Sequence, residues 1–321
     1  KPIKNIKEIY EELDERPIYG FGGVAEYGIT ARWDKNYLKI IRLLLERRSN
    51  FRMFGGFRLG SAFDCFDAFN EYQFDHVSLC LGAGWPNVVD IKNNFIKGIR
   101  SASDFLMSLQ LTGAEKKHLL TNLQIRLPAI VIGGGLTAID TASEVLAYYV
   151  LQVEKFLEHY EILCQKFGKN SVEKDWNEEE KIIADEFLEH ALAIKNYAPP
   201  SSCLGNDLFA ENDHLGSFSN AQSPINRGNI SQKNSKDILS LLKKWGGVKL
   251  LYRKKISDSP AYRLNHEELQ KAFEEGIEFI EQATPIEAIG DKFNHIQALK
   301  IKTNNDKEIE IATRTLLFAA G

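Results

Sequence analysis

The stretch PAIVIGGGLTAID, residues 128–140, joins a short apolar run to a helical pattern through three consecutive glycines. Its residues Gly133 to Ala138 match the Gly-x-Gly-x-x-Ala form of the dinucleotide-binding turn. In such a turn Gly133 allows the tight bend, Gly135 lets the backbone approach a pyrophosphate, and Ala138 permits close packing of helix on strand. The amides at the helix start then face the phosphate. The pattern predicts a dinucleotide site, and a plain strand-to-helix turn is the alternative that it leaves open. The residues predicted to contact the nucleotide here are Gly133, Gly134, Gly135, Leu136, Thr137 and Ala138.

A second strand of the same unit is predicted at VKLLYRKK, residues 248–255. The residue that ends this strand meets the adenosine ribose, where an acid selects NAD and basic residues suit the 2′-phosphate of NADP. Here the strand ends in Arg253, Lys254 and Lys255, with no acid beside them. The pattern therefore favours NADPH over NADH, and a solvated basic turn is the alternative reading.

About a hundred residues separate these two strands. They contain helical patterns at 137–166 and 177–197, a stretch rich in Ser, Asn, Gly and Pro at 199–235 that predicts a flexible loop, and a short helix at 238–245. A helix–helix–loop insertion at about 150–246 therefore displaces the second strand.

The rest of the chain alternates strands and helices. Helices are predicted at 34–48 and 101–111, a buried strand at FDHVSLCLGAG (residues 74–84), and a capped helix between Asn265 and Gly276. Four strands follow, with a hairpin turn at TNND, residues 303–306, and the buried run TLLFAAG closes the sequence. The fold class is α/β.

The bulk composition excludes several classes of function. The chain has 321 residues, a net charge of −4 and a pI of about 6.1, so no basic field indicates a nucleic-acid partner. No apolar run approaches the roughly 20 residues that span a membrane, and no signal peptide is recognisable, so a cytoplasmic location is expected. The four cysteines are scattered without a Cys-x-x-Cys pair, which argues against a redox dithiol, a zinc site and an iron–sulfur cluster. No metal site is predicted.

Six motifs, taken together, resemble a known family. GGVAEYGIT, FDHVSLCLGAG, AIVIGGGLTAIDTA, VKLLYRKK, SPAYRLNHEELQKAFEEGIEF and TLLFAAG occur in the order seen in the small subunit of NADPH-dependent glutamate synthase, an FAD-dependent pyridine nucleotide oxidoreductase. The resemblance implies two dinucleotide-binding domains: a partial FAD-binding domain from 1–88 and 312–321, and a Rossmann-like NADPH-binding domain from 89–311 that carries the insertion. It also implies hydride transfer from NADPH to FAD, with electrons passing to a partner protein such as a glutamate synthase large subunit.

The resemblance assigns further residues by position. Asp140 matches an acid just inside the helix after the glycine turn, and Arg253 and Lys254 match paired basic residues for the 2′-phosphate. Gly22 and Gly23 match a double glycine near the flavin, and Gly82 and Gly321 match the two crossings between domains.

The sequence also departs from the family. The chain starts after the place of the FAD-binding glycine motif and stops before the Gly-Asp segment that holds the flavin, which predicts a fragment of a longer protein. The cluster-binding cysteines are missing, Leu136 replaces an Asn, and the insertion is additional.

Three other features carry less weight. His266, at the start of the capped helix, is interpreted as solvent-facing, and Trp85 suits either a cofactor ring or a hinge. The acids Glu178, Glu179 and Glu180 are interpreted as a favourable helix start.

No catalytic acid–base residue is predicted, as befits an enzyme whose cofactor carries the chemistry. Two rival functions remain: a non-catalytic nucleotide-binding or assembly module, and a direct NADP-dependent dehydrogenase.

Overall fold

The computed structural model describes residues 37–80, 87–197, 232–264 and 266–320, and there the chain is α/β, as predicted. Its helices are α1 (Tyr37–Glu46), α2 (Cys65–Asn70), α3 (Ala102–Leu111), α4 (Leu136–Phe167), α5 (Lys169–Val172), α6 (Glu178–Tyr197), α7 (Gln232–Lys244), α8 (Pro260–Leu264) and α9 (His266–Glu274). Its strands are β1 (Ile99–Ser101), β2 (Ala129–Ile132), β3 (Val248–Leu251), β4 (Glu278–Ile280), β5 (Ala283–Gly290), β6 (Ile296–Thr303), β7 (Glu308–Ala312) and β8 (Thr315–Phe318).

A parallel five-stranded sheet with the order β1-β8-β2-β3-β4 forms the centre of the fold. Strand β2 pairs with β3 on one edge and with β8 on the other, and its residue Ile132 lies opposite both Leu251 and Phe318. All four residues of β2 are buried, as expected for a parallel strand covered on both faces. Strands β3 and β4 lie on one side of β2, and β8 and β1 lie on the other, so the strand order reverses at β2. This topology is typical of the Rossmann-like class.

A separate antiparallel sheet, β5-β6-β7, packs on one face of the parallel sheet. The predicted hairpin turn between β6 and β7 is confirmed, since the Thr303 N–H donates to the Lys307 carbonyl at 3.0 Å. Asp306 takes a positive φ of 57° in this turn, which Asp tolerates better than most residues. The apolar residues between the two sheets form the smaller of two cores.

Helices α3, α4, α7, α8 and α9 contribute to the larger core on the opposite face. Two glycines end helices there: Gly246 after α7 has φ +94° and Gly276 after α9 has φ +85°. The residue after each glycine donates back into the helix, Gly247 to the Leu242 carbonyl at 2.8 Å and Ile277 to the Ala272 carbonyl at 3.1 Å. This is the Schellman geometry, and it confirms the predicted end of α9. The predicted cap Asn265 lies outside the described residues.

The described helices of the insertion are packed into the larger core. Tyr149 of α4 lies with its hydroxyl 2.5 Å from Nδ1 of His190 on α6, and the His190 ring stacks on Trp245 with centroids 3.8 Å apart. Burial raises the pKa of Tyr149 well above its usual value, so the hydroxyl keeps its proton. The described helices of the insertion therefore share one core with the helices that cover the parallel sheet.

Ion pairs fix the same helix to the sheet. Arg126, in the loop before β2, makes a two-pronged pair with Glu186 of α6. At the start of α6, Glu179 pairs with Lys97 at 2.6 Å, and Glu178 pairs with Lys292. The acids predicted to favour a helix start do open α6, and two of them also reach lysines outside the helix.

Two sequence-based expectations need correction. The strand predicted at 74–84 is not formed over 74–80, and Phe74 and Leu79 are exposed, because within the described chain no neighbouring strand takes its backbone hydrogen bonds. Residues 81–86 lie outside the described residues. Helix α7 begins at Gln232, inside the predicted loop 199–235.

Strand β8 falls within the range 312–321, which the resemblance assigns to a partial FAD-binding domain. It lies between β1 and β2 in the parallel sheet and is fully buried. The division of the chain into domains stays a prediction.

Two buried histidines predict the pH dependence of stability. Burial lowers the pKa of both His190 and His295, so each takes up its proton at a lower pH in the folded state than in the unfolded state, where the ordinary pKa is about 6.5. The free energy of unfolding should therefore fall as the pH drops below about 6.5, by up to about 1.4 kcal/mol per pH unit for each histidine. Urea unfolding at several pH values between 7.5 and 5.5 measures this. The double variant His190→Gln/His295→Gln should show a shallower slope, and an unchanged slope would contradict the assignment.

Candidate nucleotide-binding site

The glycine turn lies at the carboxyl end of β2, where the strand order reverses. β2 ends at Ile132, and α4 begins at Leu136. In open parallel sheets a crevice forms at this point, outside the carboxyl ends of the strands, and ligands bind there. The sequence-predicted turn therefore lies at the topological position where open parallel sheets bind their ligands.

The first glycine is enclosed by the neighbouring strand. A Cβ atom on Gly133 would lie 2.5 Å from the carbonyl oxygen of Ala319, just after β8, and 2.9 Å from Cβ of Ala138 on α4. Both distances are far below normal contact. A side chain at position 133 is therefore excluded by packing between β2, β8 and α4.

The second glycine is held in orientation from the β3 side. The ring of Tyr252 covers Gly134, where a Cβ would come within 2.5 Å of the ring carbons. The Ala261 N–H, at the start of α8, donates to the Gly134 carbonyl at 3.1 Å. Because the carbonyl and the following N–H of a trans peptide point in opposite directions, the Gly135 N–H is turned away from α8. Tyr252 and Ala261 are contributors that the motif alone did not identify.

The third glycine opens onto free space. A Cβ on Gly135 would meet nothing within 4 Å among the described atoms. Gly135 is the N-cap of α4 and makes no side-chain cap, and the next residues, Leu136 and Thr137, are exposed. The first N–H groups of a helix have no partner inside the helix and carry the positive end of its dipole. The space and the donor set both fit a phosphate group.

A basic turn lies beside this helix start. Arg253, Lys254 and Lys255 follow β3 and are exposed, and within the described part of the chain none of them makes an ion pair. Their backbone is fixed: the Lys254 carbonyl accepts the Gln282 N–H at 3.0 Å. The same segment leads directly to Ala261, which holds the glycine turn. Three cations, without an ion-pair partner among the residues that the structure describes, are thus attached to a fixed backbone next to the candidate phosphate site.

Asp140 does not share this accessibility. It is 7% exposed within α4 and is already engaged in an interaction within the protein. The contact of Asp140 with the nucleotide stays a prediction, and in the structure its side chain lies on a buried side of α4.

Several of the remaining predicted positions are not described by the structure. Gly22, Gly23, Gly82 and Gly321 lie outside the described residues, as does Trp85. His266 opens α9 and is exposed, as interpreted from the sequence.

No group of His, Cys, Asp or Glu side chains among the described residues is arranged to hold a metal ion. None of the described helices is both long and apolar enough to cross a membrane.

The chain was compared with known proteins. No protein-family model matches it. An uncharacterized protein of Rickettsia prowazekii (strain Madrid E) is 41% identical over 300 residues, which cover 94% of this chain and 36% of that protein. The chain therefore spans little more than a third of the length of the relative it matches.

Solved structures of thioredoxin reductases show weak likenesses. The enzyme from Lactococcus lactis is 24% identical over 27% of this chain and 28% of its own, with a TM-score of 0.21. The enzyme from T. acidophilum is 13% identical over 62% of this chain and 78% of its own, also with a TM-score of 0.21. Similarity this low defines neither a site nor an activity for the present chain.

Alanine substitutions at two of the glycines should affect different properties, stability at Gly133 and nucleotide binding at Gly135. Gly133→Ala places a methyl group against the Ala319 carbonyl and should lower the free energy of unfolding by about 1–3 kcal/mol. Gly135→Ala should change stability by less than about 0.5 kcal/mol, since its site is open, but should weaken nucleotide binding about tenfold by filling the phosphate space. Urea unfolding and calorimetric titration with NADPH measure the two effects. Normal nucleotide affinity in Gly135→Ala would remove the phosphate assignment.

Proposed function

We propose that this chain is the NADPH-binding part of an FAD-dependent oxidoreductase. The observation that carries the proposal is the open start of α4 at Gly135, beside the exposed basic turn after β3, which makes no ion pair with any residue that the structure describes. The first supplies amide donors for a pyrophosphate, and the second supplies cations for a phosphate on the adjoining ribose.

The charge at the end of β3 supports NADPH over NADH. An acid at this place would bond the ribose 2′-hydroxyl of NAD, and it would repel the 2′-phosphate of NADP. Arg253, Lys254 and Lys255 stand there instead. Guanidinium and ammonium groups form strong charge-assisted bonds to phosphate oxygens.

The residues around the crevice favour a cofactor-based reaction. Small residues follow both central strands: the glycines after β2, and Ala319 and Ala320 after β8. They let a flat ring system approach the backbone but provide no acid or base. FAD, when bound in the whole protein, would accept the hydride and pass electrons onward, and this chain would bind and orient the nucleotide. This favours a flavin-linked reaction over a direct NADP-dependent dehydrogenase.

The finer assignment rests on the family resemblance. We infer that the electrons pass to a partner protein, with a glutamate synthase large subunit as one candidate. The packed insertion of α6 and α7 gives this chain a surface that the ordinary small subunit lacks. A flavin absorbance in the whole gene product that bleaches on addition of NADPH would support the enzyme, whereas nucleotide binding without flavin would support the non-catalytic module.

Neutralising the basic turn should discriminate between the two nucleotides. The double variant Arg253→Met/Lys254→Met should lose about 1.5–3 kcal/mol of NADPH binding, or roughly 10- to 150-fold in Kd, with little change for NADH. Lys243→Met/Lys244→Met is a matched control, because these exposed lysines precede the amino-terminal end of β3, whereas the basic turn follows its carboxyl end. Calorimetric titration with both nucleotides is the measurement. Equal losses for NADPH and NADH would exclude the 2′-phosphate role.

A further inference from the structure

Glu281 contacts the basic turn from the neighbouring strand. It follows β4, and its carboxylate accepts the backbone N–H of Ile256 at 2.8 Å. Ile256 opens a short 3₁₀ turn, Ile256–Asp258, whose own N-cap residue Lys255 makes no side-chain cap. An N–H at the start of such a turn has no internal partner. Glu281 therefore caps a turn that begins immediately after the three cations.

Backbone bonds hold the rest of this segment to the same place. The Tyr252 N–H donates to the Ile280 carbonyl at 2.9 Å, and the Tyr252 carbonyl accepts the Ala283 N–H at 3.1 Å. With the Gln282–Lys254 bond described above, the segment is fixed up to position 254. The Glu281 side chain adds a hydrogen bond at residue 256. Lys255 therefore lies between two backbone positions that are both held by hydrogen bonds.

The charge of Glu281 is also available to the basic turn. The other acid in the segment, Asp258, has its own cation in Arg263, at 3.6 Å. Within the described part of the chain no cation lies within ion-pair distance of the Glu281 carboxylate. Its negative charge therefore reduces the positive potential of Arg253, Lys254 and Lys255. Because these groups are exposed, dissolved salt should weaken this effect.

We propose that Glu281 sets the preference of this site for a 2′-phosphate through two opposing effects: its hydrogen bond positions the basic turn, and its charge weakens the turn's attraction for phosphate. The inference rests on the proposed NADPH site. Glu281 acts through the turn and is a positioning residue that need not touch the nucleotide. Its two effects are separable, because Gln keeps an acceptor oxygen without the charge and Ala keeps neither.

The test measures adenosine 2′,5′-bisphosphate and AMP binding to the chain by calorimetry, which needs no flavin. The wild-type chain should prefer the bisphosphate. Glu281→Gln should bind it about two- to fivefold more tightly than the wild type, and Glu281→Ala should bind it at least fivefold more weakly than Glu281→Gln. AMP affinity should stay within twofold throughout. Glu310→Gln on β7 is the matched control for net charge, because Glu310 is exposed on a strand of the other sheet.

Salt separates the two effects further. The gain in Glu281→Gln should shrink at high ionic strength, whereas the difference between the Gln and Ala variants should persist. A selective wild type with both variants within twofold of it would overturn the role of Glu281, as would equal tightening in both. A wild type that does not distinguish the two probes would overturn the proposed NADPH site itself.

Discussion

The position of β2 is the constraint on which the rest of the structure depends. The strand is paired along both edges, by β3 and β8, and is buried on both faces. Where the chain leaves β2 at its carboxyl end, it passes between the Ala319 carbonyl and Ala138, which leave no room for a Cβ atom. A residue without a side chain is required there, and Gly133 meets that requirement.

The candidate site follows from this packing. Once Gly133 is enclosed, the next peptide is oriented by the Ala261 N–H and covered by Tyr252, and the start of α4 is directed outward at Gly135. The donors offered to a phosphate are backbone amides, while the groups offered to the ribose are side chains on a separately braced turn. The phosphate would thus be recognised at the end of β2, which burial holds in place. The ribose would be recognised at the end of β3, which hydrogen bonds to the end of β4 hold in place.

The sequence predicted the parts of this arrangement that local patterns encode. The apolar run before Gly133, the helix after it and the basic end of β3 are all recognisable from neighbouring residues, and so is the glycine that ends α9. The three-residue strand β1 has no pattern of its own and was missed. The place of β8 inside the sheet depends on pairing with β2, from which it is distant in sequence.

Other features depend on contacts that no motif records. The cap that Glu281 provides for Ile256 joins two strand ends, and the Tyr149–His190–Trp245 contact joins three helices. The predicted strand at 74–84 shows the converse error: its local pattern is apolar, but over 74–80 the described chain gives it no pairing partner. Strands need neighbours as well as propensity.

The most direct test of the central claim is a crystal structure of this chain with adenosine 2′,5′-bisphosphate. The 5′-phosphate should accept hydrogen bonds from the backbone amides at Gly135 and Leu136, and the 2′-phosphate should contact Arg253 or Lys254. A nucleotide bound elsewhere, or with its 2′-phosphate directed away from the basic turn, would contradict the assignment of this crevice as an NADPH site.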